Sequence, residues 1–300
     1  MATIRKRNIG KQAYYYLEHT VRKDGKIEKR ERYLGKQLPK NIDDLKKEFL
    51  SRLYQERWYP VLDKIKQAFT RETRQTPLSA REEELQKFAI HFTYDTQRIE
   101  GSTLTLRETA DLIERGITPK AKPIRDVKEA EAHKALFDEM LKTKKDISYQ
   151  LVLYWHKKLL QDTMPDIAGR IRKHQVAISG SKFLPPSPVE VYPLLRDFFK
   201  WYDKNKVKLH PVILTALVHL KFVTIHPFGD GNGRISRLLM NFTLHRKNYP
   251  LLNIHYEGRA GYYTALERAQ IKQMDSIFVH WLVKKYIKEQ KRLLHLRKYT

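Results

Sequence analysis

The stretch Ile225-His226-Pro227-Phe228-Gly229-Asp230-Gly231-Asn232-Gly233-Arg234-Ile235-Ser236-Arg237 decides how the chain is read. It lies between two runs of helical periodicity. Three glycines at alternate positions let successive backbone N–H groups turn toward one point, and the helix that follows adds its free amides and positive dipole end. That combination suits a phosphate or polyphosphate. A dinucleotide fingerprint would need glycine where Arg234 stands, and a P-loop would need Lys-Ser/Thr after Gly233, so neither template fits.

In the following helix Ile235, Leu238, Leu239 and Phe242 fall at core spacing, while Arg234, Arg237 and Asn241 share a neighbouring face. Two guanidiniums about one turn apart can each fork onto phosphate oxygens. His226, just ahead of the loop, has an imidazole suited to take a proton from a hydroxyl near neutral pH. Asp230 offers a hard carboxylate oxygen for Mg²⁺, which is commonly held by one or two carboxylates together with substrate phosphates.

The remainder of the chain is read around this centre. The 300 residues include 59 Lys+Arg against 34 Asp+Glu, a net charge of +25, and no Cys. Disulfide frameworks, thiolate metal sites and Cys nucleophiles are thereby excluded. Neither a signal-peptide pattern nor a spanning apolar run is found, so a cytoplasmic protein without membrane contact is expected. The scattered remaining histidines form no metal signature.

Residues 1–40 carry 12 Lys/Arg and 4 acids, net +8, and residues 281–300 carry 7 and 1, net +6. Tyr14, Tyr15, Tyr16, Val21, Ile27 and Tyr33 are strand formers around Asp24-Gly25, which predicts a hairpin over 12–34. These tyrosines and cations also suggest a nucleic-acid surface.

From Asn41 onward the pattern is helical, with Leu45, Phe49 and Leu53 on one face. Capping boxes are expected at Ser79/Glu82 and Thr105/Glu108, the first opening a helix from about 80 toward Glu100. Further helices are expected over 126–142, 149–161, 189–204, 210–224 with Pro211 in the first turn, 234–247, and 262–298 with a break near Asp275-Ser276. Between them, 173–188 reads as a small β-hairpin or flap that Pro185-Pro186 closes. The expected domains are a basic β module at 1–40, a helical region at 41–145 and a core with C-terminal helices at 146–300.

The window from His226 to Arg237 resembles the motif of the Fic (Fido) family, His-x-Phe-x-Asp/Glu-Gly-Asn-Gly-Arg-x-x-Arg, at every defined position. Ala168-Gly169-Arg170-x-Arg172, the flap, His210-Pro211, His219 and Tyr262-Tyr263-Thr264-Ala265-Leu266 extend the resemblance over roughly 80–282, leaving 1–40 outside it. It implies a mostly α Fic-type bundle with a β-hairpin flap, and transfer of AMP from ATP to a protein Ser, Thr or Tyr hydroxyl. By the same resemblance His226 is the general base, Asp230 the Mg²⁺ ligand, and Gly231, Asn232, Gly233 and Arg234 the phosphate holders, with Arg237 meeting the γ-phosphate. The flap at Val176, Ala177, Ile178 and Ser179 would clamp the target by strand addition, and Tyr262 and Tyr263 are candidate adenine contacts.

The family's inhibitory helix carries Ser/Thr-x-x-x-Glu-Gly/Asn, which Thr96-Gln97-Arg98-Ile99-Glu100-Gly101 fits. Thr96 and Glu100 then share a helix face, Gly101 ends the helix, and Glu100 at its tip can pair with Arg237 and deny ATP its productive pose. Removal of AMP, with Glu100 positioning water, is the alternative direction, and a nucleic-acid-binding regulator is the alternative class. The expected partners are a protein substrate and, through 1–40, nucleic acid; a homodimer is left open.

Overall fold

The computed structural model describes residues 2–23 and 26–295. The chain divides into two compact units, Met1–Asp63 and Lys64–Thr300. In the first, β1 (Thr3–Ile9), β2 (Gln12–Lys23) and β3 (Lys26–Gly35) form an antiparallel sheet in sequence order. The expected hairpin is the β2–β3 pair, in register Tyr16↔Tyr33 and Leu17↔Arg32. Its Asp24-Gly25 turn lies outside the described residues. The sequence reading overlooked β1, whose alternation of Arg5, Lys6, Arg7 and Asn8 offers no apolar face. Leu17 packs against Phe49 and Leu53 at the start of α1 (Ile42–Gln75).

The second unit is helical: α2 (Leu78–Ile99), α3 (Leu106–Arg115), α4 (Ile124–Lys142), α5 (Tyr149–Leu160), α6 (Pro188–Asn205), α7 (Pro211–Ile225), α8 (Asn232–Arg246), α9 (Arg259–Ile271), α10 (Asp275–Glu289) and α11 (Lys291–His295). Thr105 and Glu108 form the expected capping box, and Gly116 ends α3 in the left-handed conformation. Pro211 opens α7, where the His210 side chain accepts from Val212 N–H. The expected break falls between α9 and α10, and residues 296–298 of the last expected helix lie outside the described residues.

Two expectations are corrected. No box forms at Ser79/Glu82, because α2 begins directly after Pro77 and Ser79 is already inside its first turn. No hairpin forms at the flap: among the described residues 173–187 contain no strand. Prolines 185 and 186 remove two donors there, and the bond from Ser181 N–H to Ile178 C=O closes a turn rather than a ladder.

α7 and α8 are buried along almost their whole length. Phe222, Phe228, Leu238, Leu239 and Phe242 join Phe92 and Trp155 in one core. α7 is apolar all round, as a helix enclosed by others should be, and the loop between α7 and α8 is thus held between two immobile elements.

Three histidines are buried in this unit. Burial holds His133 and His219 down to about 3 and His156 down to about 4, against an ordinary 6.5. Below about pH 6.5 the unfolded chain therefore binds protons that the native state refuses, and stability falls as pH falls toward 4. Urea denaturation is expected to show a midpoint that drops between about pH 7 and 5, and His219→Gln should flatten this dependence. An unchanged slope in that variant would exclude His219 from the effect.

Candidate active site

The loop after α7 turns sharply. His226 takes the left-handed conformation at φ 51°, uncommon for a residue with a side chain. Phe228 is buried, and the Asn232 side chain clips the loop closed by accepting from Phe228 N–H at 2.9 Å and donating to Phe228 C=O at 2.8 Å. His156 stacks on Phe228 at 3.6 Å and donates from Nε2 to Asp230 C=O at 3.0 Å. Gly231, at φ 77°, has no room for a side chain: a Cβ there would lie 3.3 Å from both His156 and Leu160. The loop is thus pinned from beneath, and Gly231 and Gly233 open α8 where its amides are free to meet an anion.

A carboxylate already lies there. Glu100, at the end of α2, accepts from Arg237 Nη2 at 2.6 Å, and its Oε1 sits so close over Gly233 that any Cβ at that position would collide with it. Thr96, one turn back on α2, accepts from Arg237 Nε at 2.5 Å through its hydroxyl and from Nη2 at 3.2 Å through its carbonyl. Arg237 is only 1% exposed. Burial is the largest single influence and would lower its pKa, but the charge of Glu100, the Tyr262 phenol and the hydrogen bonds to both together outweigh it, and the net direction is upward. Gly101, at φ 101°, lets the chain leave α2 immediately beyond Glu100.

Arg234 has a different neighbourhood from the one the motif suggests. It too is 1% exposed. Its Nη1 donates to Glu129 and to Gln97 Oε1, and its Nη2 donates to Asp230 Oδ1 at 3.0 Å. Both terminal nitrogens are therefore engaged by the protein, while the buried Nε has no hydrogen-bond partner among the described residues. The Asn232 side-chain amide is likewise engaged, by the Phe228 backbone. Asp230 stays ionised: burial would raise its carboxyl, and Arg234 with the Gly231 amide brings it down.

His226 donates from Nδ1 to Val223 C=O at 3.2 Å, which assigns the proton to Nδ1 and leaves the Nε2 lone pair able to accept one. Burial lowers its pKa, so the imidazole is neutral at neutral pH. Its carbonyl accepts from Arg172 Nε at 2.8 Å; the same buried guanidinium donates to His174 C=O at 3.1 Å and Pro186 C=O at 2.5 Å. Arg172 thus ties both ends of the flap to the loop. At the tip, Glu267 accepts from Lys182 N–H at 2.5 Å and Ser181 Oγ at 3.3 Å. Between these anchors Val176 to Ile178 lie outside any helix or strand and Ser179 enters the turn, with Ala177 and Ser179 exposed.

The two tyrosines separate. Tyr262 is buried, with its hydroxyl 3.0 Å from His219 Nε2 and 3.5 Å from Arg237 Nη1, and burial pushes its phenol up to about 12. It braces Arg237 and has no free face for adenine. Tyr263 is exposed along one edge and donates to Ile99 C=O at 2.9 Å, holding the end of α2.

Residues 146–244 match the Fic/DOC family model. The chain carries a Fic/DOC domain. It is 35% identical over 199 residues to protein adenylyltransferase fic-1 of Caenorhabditis elegans, covering 64% of this chain and 39% of that one. It is 36% identical over 180 residues to protein adenylyltransferase Fic of Drosophila melanogaster, covering 59% and 36%. This chain therefore spans less than half the length of the curated relatives it matches. Among solved structures, Caenorhabditis elegans Fic-1 (residues 134–508) superposes with a TM-score of 0.71 at 28% identity, over 87% of this chain and 79% of that one. A Fic-domain signalling protein of Bacteroides thetaiotaomicron gives 0.69 at 27% identity, over 77% and 96%.

Sequence reasoning missed Glu129, Arg125 and Gln97 around the Fic/DOC domain. Glu129 had a signal, as an acid one turn from His133 on the apolar face of α4 with Val127 and Ala130. Removing it with Glu129→Ala would leave the buried Arg234 with Asp230 as its remaining carboxylate partner. The expected cost is about 3–5 kcal/mol by chemical denaturation, with Glu129→Gln less damaging because it keeps the shape and part of the hydrogen bonding.

Proposed function

We propose that this protein transfers AMP from ATP to a hydroxyl side chain of a protein target, and that Glu100 holds it inactive. The observation that carries the reading is the seat of the Glu100 carboxylate, over Gly233 and on Arg237, where an anion cradle has its own anion in place. With that carboxylate withdrawn, the Gly231 to Gly233 backbone, the amino end of α8 and Arg237 are left to bind a polyphosphate.

His226 Nε2 is placed to take the proton of the target hydroxyl as its oxygen attacks the α-phosphorus. The bond from that phosphorus to the oxygen bridging it to the β-phosphorus breaks, and pyrophosphate leaves. Asp230 fits a divalent cation, being an ionised carboxylate, 34% exposed, at the edge of the cradle. Among the described residues no group of three or more acids or histidines forms a metal cage. Such a cation would offset phosphate charge. The flap would hold the target by its backbone, beside a groove of about 390 Å³ lined in part by Phe183, Leu184, Leu194 and Ile225.

Incubation with labelled ATP and Mg²⁺ tests this reading. Glu100→Gly is expected to raise AMP incorporation at least about tenfold, the effect of restoring one charge-assisted phosphate contact, and His226→Ala in that background should abolish it. No incorporation by Glu100→Gly with candidate targets or with itself would defeat the reading. Release of AMP from a modified target by the wild type, lost in Glu100→Gly, would instead assign the reverse reaction.

A second reading concerns the first unit. On the sheet face opposite Leu17, the Tyr33 ring lies 5.3 Å from Tyr16 and 6.3 Å from Tyr14, and the Arg7 guanidinium lies 4.6 Å from the Tyr16 ring. This aromatic and cationic platform, within the net +8 of residues 1–40, suits single-stranded nucleic acid. Fluorescence anisotropy of the full chain with a labelled oligonucleotide should show salt-sensitive binding that the double variant Tyr16→Ala/Tyr33→Ala weakens about tenfold or more. Absence of binding at low salt would remove this role. No described helix is long and apolar enough to cross a membrane.

A further inference from the structure

The two carboxylate oxygens of Asp230 are held very differently. Oδ1 accepts from Arg234 Nη2 at 3.0 Å and from Gly231 N–H at 2.5 Å. It cannot let go without leaving a buried guanidinium short of a partner. Oδ2 accepts from Arg125 Nη2 at 2.9 Å. Arg125, in the first turn of α4, is 52% exposed and is tethered by its Nε to Glu129 Oε1 at 2.7 Å. The oxygen open to an incoming cation is therefore Oδ2, and the group standing before it is a half-exposed arginine.

We infer that Arg125 is a resident cation on the metal-binding carboxylate, which a divalent ion must displace before Asp230 can hold it. The inference rests on the reading of Asp230 as the metal ligand. Two features make the displacement easy. An ion pair with one half-exposed partner is weakly held, and Arg125 stays anchored to Glu129 when its Nη2 swings away. Arg125 thus lowers the affinity of the empty site for a cation without blocking it. It stands at the opposite end of the cradle from Glu100: the carboxylate of Glu100 takes the place of a phosphate on Arg237, and the guanidinium of Arg125 takes the place of the metal on Asp230.

Mn²⁺ serves as the probe, with free ion measured by electron paramagnetic resonance in the full chain carrying Glu100→Gly, with and without a non-hydrolysable ATP analogue. Arg125→Gln is expected to tighten Mn²⁺ binding about threefold to tenfold, the range of a partly exposed charge-assisted contact. Arg125→Lys should stay within about twofold of the parent, because it keeps the charge. Thermal melts of each variant check that the fold is intact. An unchanged or weaker Mn²⁺ affinity in Arg125→Gln overturns the inference, as does persistence of its effect when Asp230→Asn is added. If the tightening occurs and depends on Asp230 while no AMP is incorporated, the resident cation stands and the transfer reading falls.

Discussion

Two guanidiniums buried inside a helical core, Arg234 and Arg237 on α8, set the terms for the rest of the second unit. An unpaired buried charge is far too costly to keep, so carboxylates have to be brought to them from elsewhere in the sequence. α4 supplies Glu129 and the α7–α8 loop supplies Asp230 for Arg234, while α2 supplies Glu100 and Thr96 for Arg237. These pairings fix α2 and α4 against α8 at positions about 105 to 141 residues away in sequence. Hydrophobic packing gives the bundle its bulk, and the arginines give it a register.

Some of this was legible in the sequence and some was not. The loop from His226 to Gly233 could be read because its chemistry is local: alternating glycines, a helix start and a His ahead of it lie on one short stretch. The caps at Thr105 and Pro211 are local for the same reason. The partners of Arg234 are not local, and nothing near Arg234 in sequence indicates that Glu129 and Gln97 come to its Nη1. Tyr262 illustrates the same limit, since a tyrosine bracing an arginine and a tyrosine stacking on a base have the same helical spacing. The flap failed for another reason. Alternation at Val176 and Ile178 reports extended backbone, but a hairpin also needs facing donors, and Pro185-Pro186 with the Arg172 and Glu267 anchors hold the segment open instead.

That openness has a consequence for recognition. A segment held at both ends and outside any ladder, with exposed side chains at Ala177 and Ser179, presents backbone groups that another strand can use. The residue that holds one end, Arg172, also holds the His226 carbonyl, so the surface that would receive a target and the base that would deprotonate it share one buried guanidinium. The spacing between target backbone and Nε2 is then set by rigid elements rather than by the flap's own flexibility, as proton transfer at hydrogen-bond range requires.

The resting state of the cradle is best understood as substitution rather than obstruction. A cradle lined by Arg237, the amino end of α8 and Asp230 cannot stay unpaired without cost, because without Glu100 and Arg125 it displays an excess of positive potential and one unpartnered carboxylate oxygen, Asp230 Oδ2. Glu100 meets the first need and Arg125 the second. Each offers one charge where a ligand brings several: a carboxylate for a polyphosphate, a guanidinium for a divalent ion. The same features that let the empty site persist therefore leave it weaker than the filled one, and a ligand carrying both charges at once could release both ends together. Arg234, held by Glu129, Gln97 and Asp230, ties the loop that carries Asp230 and follows His226 to α2 and α4.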